Sequence, residues 1–551
     1  MSELTRRSWL ASAAAVSVTG VVAALPGCAG AATLAVDPAT EPWKVEPKLD
    51  SLAPMAPREF RAAWVATVAN IDWPSRRGLP TAVQQAEITT ILDRAASMRL
   101  NAIILQVRTS ADALYASELE PWSEYLTGVQ GQAPSPYYDP LEFWIDEAHQ
   151  RGLELHAWFN PFRARQSDAK SPVSAMHLSK ARPGWVRTYG AQLWIDPGES
   201  AAADHTLAVM MDVLRRYNVD GIHIDDYFYP YPVTQADDSK NDIEFPDQST
   251  WQRYQVAGGS LVRDDWRRNN VDKLVARIYE GIRGIKPWVR FGISPFGIGR
   301  PDLSPAGIQG FSQYHKLYAD VERWMREGWF DYLVPQLYWP RAQKEQAFGV
   351  LLDYWHGQNL HSRHVWPGLF TSRVGDASAG ARATWPAGEI VQQIEMVRQR
   401  APGSGHAHFS MVALLQNRQG LSDVLQRGAY ASPALVPASP WLSDAAPEPP
   451  RAQFERTPQG HWQLSLRPSD GVGQGGRQNG GRGERWAVWA RFGPQWTFRV
   501  VTQWPLQLPS PEPAPGLSSP IPTPTLNAVV LSAVSRVGIE SERVGWLLPV
   551  N

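Results

Sequence analysis

The sequence predicts a (β/α)₈ barrel followed by a small all-β domain. Between residues 57 and 435, eight short apolar runs alternate with helical patterns, at residues 61–68, 102–108, 153–160, 221–226, 290–295, 332–339, 365–370 and 407–414. Strands that alternate with helices pair in parallel through right-handed crossovers, and eight such units close into a barrel. An open doubly wound sheet is the alternative, but no Gly-rich phosphate-binding turn follows the first run.

The C-terminal domain is predicted beyond a Pro/Ala/Ser-rich linker at residues 436–450. Segments such as 462–466 and 486–490 alternate apolar and polar residues, as short antiparallel strands do. We therefore expect residues 451–551 to form a β-sandwich of fibronectin-III-like character. Residues 57–435 then form the barrel domain.

The N-terminus resembles a bacterial export signal. Arg6 and Arg7 precede an Ala/Val-rich stretch that runs to Leu25, which is the layout of a positive segment followed by an apolar one. Ser17 interrupts the stretch together with other small polar residues, so it is a poor permanent membrane span. We expect residues 1–27 to be removed on export.

Cys28 ends a Leu-Pro-Gly-Cys sequence that resembles a lipobox, in which the cysteine is lipidated. It is the only cysteine in the chain, so no internal disulfide can form. The alternative is a stray cysteine in an ordinary signal peptide. We expect residues 28–56 to be a lipidated tether that anchors the chain to the bacterial envelope. Ala29 stands where an Asp often signals inner-membrane retention, which favours the periplasmic face of the outer membrane.

Composition narrows the class of partner. A net charge of −1 over 551 residues argues against nucleic acid, which requires clustered Lys and Arg. The 25 Trp residues suit packing against sugar rings as well as core packing, because indole combines a flat apolar face with a polar N–H. We expect the protein to bind a polysaccharide and to contact a membrane through its lipid. We expect no cofactor.

Strand periodicity places polar side chains inside the predicted barrel. Side chains alternate across a strand, and the helix-facing set should be apolar, so the other set points inward. Its polar members cluster at the carboxyl ends of the strands: Arg108, Asn160, Asp225, Ser294, Gln336 and Tyr338. Burial of so many polar groups is costly unless they serve each other or a ligand. We predict a ligand site at the barrel mouth, with an internal hydrogen-bonded plug as the alternative.

Asp225 is the central candidate, since it is the one inward carboxylate near a strand end. A nearby Arg108 would lower its pKa, and burial among aromatic side chains would raise it. Asp226 has the opposite parity but could turn inward where the strand becomes a loop. Adjacent carboxylates beside Tyr and Trp suit glycosidic cleavage, which needs an acid and a base or nucleophile around an oxocarbenium-like transition state.

Several motifs lie at residues 58–67, 70–75, 157–161 with Arg163, 193–198, 220–230, 292–297 and 335–339. As a set they are similar to the motifs of glycosyl-hydrolase-like family ten, long catalogued as a domain of unknown function. The resemblance implies a TIM-barrel glycosidase and an envelope lipoprotein with a C-terminal fibronectin-like domain. Relatives of known activity cleave peptidoglycan strands stripped of their stem peptides, which by analogy implies a β-1,4-linked MurNAc–GlcNAc substrate here.

The segment that starts at Asp220 also resembles chitinase-like barrels, but Tyr227 holds the position of their catalytic Glu. That departure leaves retention, inversion and assistance by a substrate N-acetyl group open. The second carboxylate is open among Asp226, Asp196, Asp72 and Glu59. We predict Asp225 and Asp226 as catalytic residues. The predicted substrate-binding residues are Arg108, Asn160, Asp196, Tyr227, Tyr229, Ser294, Gln336, Tyr338 and Trp339.

Two other functions remain as alternatives. His156 and His223 point inward and could ligate a metal in a barrel hydrolase or deacetylase, although both lie deeper than the strand ends, so no metal is expected. A non-enzymatic glycan-binding envelope lipoprotein is also compatible with the Trp content and the C-terminal sandwich.

Overall fold

The computed structural model describes residues 43–235, 241–376, 384–467, 485–509 and 525–549. The predicted export signal and Cys28 lie outside the described residues, so both stay predictions. Among the helices of the described ranges, none combines the length and apolar character needed to cross a membrane.

The body is a parallel α/β barrel, as predicted. Its strands are Phe60–Val65, Ala102–Arg108, Glu154–Phe159, Gly221–Ile224, Arg290–Ile293, Tyr332–Leu333, the pair His364–Val365 and Gly368–Leu369, and Gly405–His408. The seventh strand is split at Pro367, which lacks an N–H for the ladder. Its first part pairs with the sixth strand and its second part with the eighth, and the eighth pairs with the first. These parallel pairings close the ring.

Helices follow the strands in the expected order. The main ones are Thr81–Ser97, Pro140–Gln150, Ser200–Arg216, Arg263–Ile285, Val321–Glu327, Phe348–Gly357, Ala387–Arg400 and Leu421–Arg427. Additional helices are Leu49–Leu52, Glu124–Thr127, Leu178–Ala181, Gln248–Val256, Gln313–Lys316 and Met411–Leu415. A three-stranded antiparallel sheet of Arg163–Arg165, Val186–Tyr189 and Gln192–Ile195 lies in the long connection after the third barrel strand.

The helix Pro140–Gln150 shows why these segments are helical. The side chain of Asp139 accepts from the backbone N–H groups of Leu141 and Glu142, and proline occupies the first turn, where its missing N–H costs nothing. Leu141, Trp144, Ile145 and Ala148 are buried at helical spacing, so one face packs on the barrel.

The faces of the strands follow the predicted alternation. Trp64, Ile104 and Trp158 belong to the cluster inside the barrel, whereas Ile103 and Leu155 face the helices. The second and third strands therefore alternate between inward and outward side chains, as predicted, up to the last residues of each strand.

The eighth predicted run, 407–414, is only half strand. The strand ends at His408 and the apolar residues continue as the helix Met411–Leu415. Asp72 accepts from the Ser410 hydroxyl at 2.8 Å and from the Val412 backbone N–H at 2.7 Å. These bonds satisfy polar groups at the start of the helix, and a purely apolar sequence pattern does not reveal that start.

The C-terminal residues form two antiparallel sheets. One contains Ala452–Arg456, Trp462–Leu466 and Leu506–Leu508; the other contains Lys44–Val45, Arg485–Phe492, Gln495–Val501, Leu526–Val534 and Val544–Leu547. Phe454 and Leu464 of the first share a core with Val488, Leu531 and Trp546 of the second. The all-β sandwich is thus present, and its fibronectin-III-like character stays a prediction.

Part of the predicted tether belongs to this domain. Lys44–Val45 pairs antiparallel with the last strand, and Leu49 of the short helix that follows is buried against the five-stranded sheet. The predicted linker also contacts the barrel, because Ser439 is fully buried and accepts from the Arg290 guanidinium at 3.0 Å.

Buried ion pairs join the sandwich to the amino-terminal end of the barrel. Arg485 of the sandwich lies 3.4 Å from Glu154, which also pairs with Arg290 at 3.0 Å. Arg536 of the sandwich lies 3.2 Å from Asp220 at the start of the fourth barrel strand. Carboxylates inside the barrel therefore depend on cations that the C-terminal domain supplies.

Candidate active site

The carboxyl end of the barrel holds a pocket of about 220 Å³. It is lined by Trp64, Ala66, Val68, Ala69, Ile71, Gln106, Trp158, Arg163, Gln166, Asp225, Asp226, Tyr227, Tyr231, Ser294, Gln336, Tyr338 and Phe409. Its volume is below the range of about 300–1,000 Å³ typical for drug-sized ligands. Asp225 and Asp226 are the only acidic residues among those that line it.

Asp225 follows directly on the fourth barrel strand and is almost fully buried. Its Oδ2 accepts from the Trp158 indole N–H at 2.9 Å and from the Asn160 side-chain amide at 3.3 Å. Its Oδ1 is buried and has no hydrogen-bond partner among the described residues. The carboxyl group is therefore held through one oxygen while the other remains available to a ligand.

Burial raises the pKa of Asp225 to about 7. The positive charge of Arg163 opposes this rise, and the neighbouring carboxylate of Asp226 adds to it. A carboxyl group with a pKa near neutrality can keep its proton at physiological pH and also release it, which is what a general acid requires.

Asp226 turns into the same pocket, as the strand-to-loop transition allows. The Tyr231 hydroxyl donates to its Oδ2. Burial raises the pKa of Asp226, and hydrogen bonding by Tyr231 and Gln336 counteracts that effect. Donors aimed at a carboxylate favour its charged form, so Asp226 is the better placed of the pair to carry a negative charge.

Arg163 supplies the positive charge of the pocket. It is 2% exposed, its guanidinium carbon lies 4.0 Å from the centre of the Tyr227 ring, and its Nε lacks a hydrogen-bond partner among the described residues. Its backbone N–H donates to the Asn160 Oδ1 at 2.9 Å. Asn160 therefore links the position of Arg163 to that of Asp225, although it does not itself line the pocket.

The remaining predicted residues that line the pocket form its far wall. Ser294 shares a hydrogen bond of 3.0 Å with His223, and Gln336 donates to the Ser294 carbonyl at 2.9 Å. Tyr338 stacks on Phe370 with a centroid distance of 4.8 Å. Ser294, Gln336 and Tyr338, which the strand pattern predicts to point inward, are thus assembled around the two carboxylates together with Tyr227 of the following loop.

Arg108 does not reach the pocket, which corrects the expectation that it binds substrate. It is fully buried and makes two bonds to Glu120, at 2.6 and 2.7 Å, and one of 2.5 Å to the Asn160 carbonyl. The pairing with the third strand shifts register between Gln106 and Arg108. A bulge at that point breaks the alternation of side chains, so parity cannot be extended to the last residue of the strand.

Three other predicted binding residues are not among those that line the pocket. Asp196 is engaged by Thr250 and the Gly198 N–H and pairs with Arg187 at 2.9 Å. Tyr229 is buried against Phe245 and Tyr318, and Trp339 packs on Phe296 at a centroid distance of 5.6 Å. Their roles in substrate binding stay predictions, because loop residues carry no strand parity from which their direction could be read.

The positions of the four candidates for the second catalytic carboxylate leave one of them in the pocket. Asp72 is tied to the start of the last barrel helices, as described above, and burial raises its pKa to about 6. Glu59 lies at the opposite end of the barrel and pairs with Arg61 at 2.6 Å and Arg398 at 2.8 Å. Of the four candidates, Asp226 alone lines the pocket.

The inward histidines belong to a hydrogen-bonded layer beneath the pocket. The Tyr332 hydroxyl lies 2.7 Å from His156 and 3.2 Å from His223. Burial holds the pKa of His223 well below its usual value. Across the part of the chain that the structure describes, no group of three or more His, Cys, Asp or Glu side chains is arranged to hold a metal ion.

Sequence reasoning did not select several residues that line the pocket. Strand alternation places Trp158 and Gln106 inward, and Arg163 stands in one of the motifs, so a signal existed for each. Tyr231 and Phe409 come from a loop and from the residue after a strand, where neither periodicity nor spacing indicates direction.

The comparisons of this sequence with known proteins point to one family. The model of the family described as "Glycosyl hydrolase-like 10" matches residues 59–386. "Glycosyl hydrolase YngK" of Bacillus subtilis (strain 168) is 41% identical over 401 residues, which cover 72% of this chain and 76% of that protein. "Glycosyl hydrolase DigH" of Escherichia coli (strain K12) is 34% identical over 339 residues, covering 58% and 74%.

Among solved structures, the PgaB (BpsB) glycoside hydrolase domain from Bordetella bronchiseptica matches with a TM-score of 0.43 and 13% identity. The match covers 67% of this chain and 98% of that chain.

The range matched by the family model includes Asp225, Asp226 and every other residue that lines the pocket except Phe409. It covers more than half of the chain. The chain therefore belongs to the glycosyl hydrolase-like 10 family and is a glycoside hydrolase.

Proposed function

We propose that this glycoside hydrolase cleaves the glycan strands of peptidoglycan after their stem peptides have been removed. One observation carries the proposal: two adjacent buried carboxyl groups, Asp225 and Asp226, line an aromatic pocket at the barrel mouth. A denuded strand is a polymer of sugar rings, and flat indole and phenol faces suit such rings. The motifs shared with relatives that act on denuded strands support the choice of polymer.

In this proposal Asp225 is the general acid. Its pKa of about 7 lets it hold a proton at neutral pH and donate it to the glycosidic oxygen as the bond to C1 breaks. The carboxylate of Asp226 stabilises the positive charge that develops at C1. Water then bonds to C1, and the proton that it releases returns to the carboxyl pair.

The other residues around the pair hold it in place and bind the sugar. Trp158 and Asn160 fix one oxygen of Asp225 and leave the other free. Tyr227, Ser294, Gln336 and Tyr338 line the wall against which the ring lies. Arg163 offsets the negative charge that both carboxyl groups would otherwise concentrate in one buried site.

We also propose that the enzyme is exported and lipidated at Cys28, with the lipid in the outer membrane. Anchoring would keep the pocket within reach of the peptidoglycan layer. Metabolic labelling with a radioactive fatty acid tests this: the wild-type chain should carry label and a Cys28→Ala variant should not. Label on the variant, or none on the wild type, would contradict the anchor.

The substrate is tested by incubating the purified protein with peptidoglycan sacculi. One batch is pretreated with an amidase that removes the stem peptides, and the other is left intact. Mass spectrometry should detect disaccharide ladders from the denuded batch and almost none from the intact batch. Equal release from both batches would refute the requirement for denuded strands, and release from neither would refute peptidoglycan as the substrate.

A further inference from the structure

Five buried side chains form one hydrogen-bonded chain through the inside of the barrel, which we call the interior relay: Ser294, His223, Tyr332, His156 and Glu154. Ser294 lines the pocket, and its Oγ lies 3.0 Å from His223 Nε2. The Tyr332 hydroxyl lies 3.2 Å from His223 Nδ1 and 2.7 Å from His156 Nδ1. His156 Nε2 lies 3.2 Å from Glu154, the first residue of the third barrel strand. Every ring nitrogen of the two histidines therefore has a partner in the relay.

Trp64 determines which of these atoms carry the protons. Its indole N–H can only donate, and it donates to His223 Nε2 at 3.4 Å. His223 must therefore carry its proton on Nδ1 and donate it to the Tyr332 oxygen. The Tyr332 hydroxyl then donates to His156 Nδ1, so His156 carries its proton on Nε2 and donates it to Glu154. The two histidines are thus neutral and have opposite tautomers.

The other end of the relay requires the same assignment. Glu154 also pairs with Arg290 at 3.0 Å and with Arg485 of the sandwich at 3.4 Å. Burial would raise the pKa of Glu154, but the charge of Arg290 and the hydrogen bond from His156 outweigh burial and lower it. An ionised carboxylate can only accept hydrogen bonds, so His156 Nε2 must donate. Burial also holds the pKa of His223 well below its usual value, as a neutral ring requires.

The relay fixes what Ser294 offers to the pocket. Because His223 Nε2 carries no proton, the Ser294 hydroxyl donates its only proton to that nitrogen. Gln336 donates to the backbone carbonyl of Ser294, and no side chain or backbone group of the described residues donates to the Ser294 Oγ. The hydroxyl oxygen therefore keeps its lone pairs for a ligand and has no proton left to donate.

We propose that Ser294 accepts a hydrogen bond from a hydroxyl group of the bound sugar, and that His223 and Tyr332 are positioning residues that hold it in this role. The inference rests on the proposed glycan-cleaving site and specifies how that site binds its substrate. A buried sugar hydroxyl that lacks an acceptor weakens binding, and a serine free to rotate would present its proton as readily as its lone pairs. A residue of the pocket thus takes its orientation from a carboxylate that the C-terminal domain helps to hold.

The proton positions are tested by ¹⁵N NMR of the full chain labelled at histidine, because protonated and unprotonated ring nitrogens differ widely in chemical shift. His223→Gln and His156→Gln assign the signals. Tyr332→Phe, which removes the hydroxyl between the two rings, shifts the same signals and assigns them if either histidine variant fails to fold. We expect two neutral rings, with the proton on Nδ1 of His223 and on Nε2 of His156. Identical tautomers, a charged ring or a mixture of tautomers in either histidine would overturn the proposal.

A double-mutant cycle on denuded strands tests the effect on the reaction. Ser294→Ala should lower kcat/KM about 5- to 50-fold, because the sugar hydroxyl loses its acceptor. Tyr332→Phe should lower kcat/KM about 3- to 10-fold in the wild-type chain, because the Ser294 proton is no longer fixed. In the Ser294→Ala background the same change should cost less than about twofold, since Tyr332 acts through Ser294. A similar loss in both backgrounds would show a merely structural role and overturn the proposal.

Tyr430→Phe is the matched control. Tyr430 is also a buried tyrosine whose hydroxyl contacts two histidines, His406 and His408, but it is not among the residues that line the pocket. Its kcat/KM should stay within about twofold of the wild-type value, and a loss as large as that of Tyr332→Phe would overturn the proposal. The NMR measurement needs no substrate, so it separates the two hypotheses. A wild type that cleaves no denuded strand but has the expected tautomers would refute the proposed substrate and support the relay.

Discussion

Replacement of Asp225 by Asn should stabilise the fold at alkaline pH. The pKa of Asp225 is raised from its usual value of 3.8 to about 7 by burial, so the ionised form is costly in the folded state. At about 1.4 kcal/mol for each unit of pKa, this cost approaches about 4 kcal/mol above pH 7. Asn fits the site, because it has nearly the size of Asp, carries no charge, and keeps an amide oxygen that can accept from Trp158 and Asn160.

The sign of the effect depends on pH. Because the folded pKa lies above the unfolded one, the folded state binds more protons between about pH 4 and pH 7, and the contribution of Asp225 to stability is lost as pH rises through that window. Urea unfolding of both proteins should give similar free energies at pH 4. At pH 8 the variant should be more stable by about 2–4 kcal/mol.

Asp302→Asn provides the opposite case. Hydrogen bonding to Arg300 lowers the pKa of this exposed carboxyl group, so its removal should slightly destabilise the fold above pH 4, when the carboxylate is charged. A stability difference between Asp225→Asn and wild type that does not change with pH would refute the assigned burial cost. A variant that is less stable than wild type at pH 8 would refute it more strongly.

Two further predictions concern the same carboxyl group and the ion pairs at the base of the barrel. Trp158→Phe removes the donor to Asp225 Oδ2 but keeps an aromatic ring. The pKa of Asp225 should then rise further, so the alkaline limb of the pH–kcat/KM profile should move up by about one pH unit. An alkaline limb that does not move would contradict the role of Asp225 as the acid. Glu154→Gln leaves Arg290 and Arg485 without the carboxylate that they share. The free energy of unfolding measured in urea should therefore fall by about 3–5 kcal/mol. A loss below about 1 kcal/mol would show that Glu154 does not couple the barrel to the sandwich.

Hydrophobic periodicity predicted the parts of the molecule that depend on alternation. The barrel strands and their inward and outward faces follow from it, because every strand must cover helices on one side and fill the barrel on the other. Asp225, Ser294, Gln336 and Tyr338 were selected by that reasoning, and all four line the pocket. Alternation alone gave Asp226 the outward direction, and its side chain reaches the pocket because the chain turns after the strand.

What alternation could not predict lies where regular structure ends. The bulge beside Arg108 reverses its direction, and Asp196 lies in a loop whose contacts depend on distant helices. The orientation of the Gln106 amide depends on two backbone N–H groups that follow the first barrel strand. Such contacts join segments far apart in the chain, so only the folded arrangement reveals them.

The central claim is that Asp225 supplies the proton for glycosidic cleavage. The most direct measurement is single-turnover cleavage of denuded strands by wild type and Asp225→Asn, with the dissociation constant for the same strands measured in parallel. Loss of the general acid should lower the rate about 10²–10⁴-fold, while the dissociation constant changes less than about threefold. Cleavage by Asp225→Asn within about tenfold of the wild-type rate would contradict the claim and place the chemistry elsewhere in the protein.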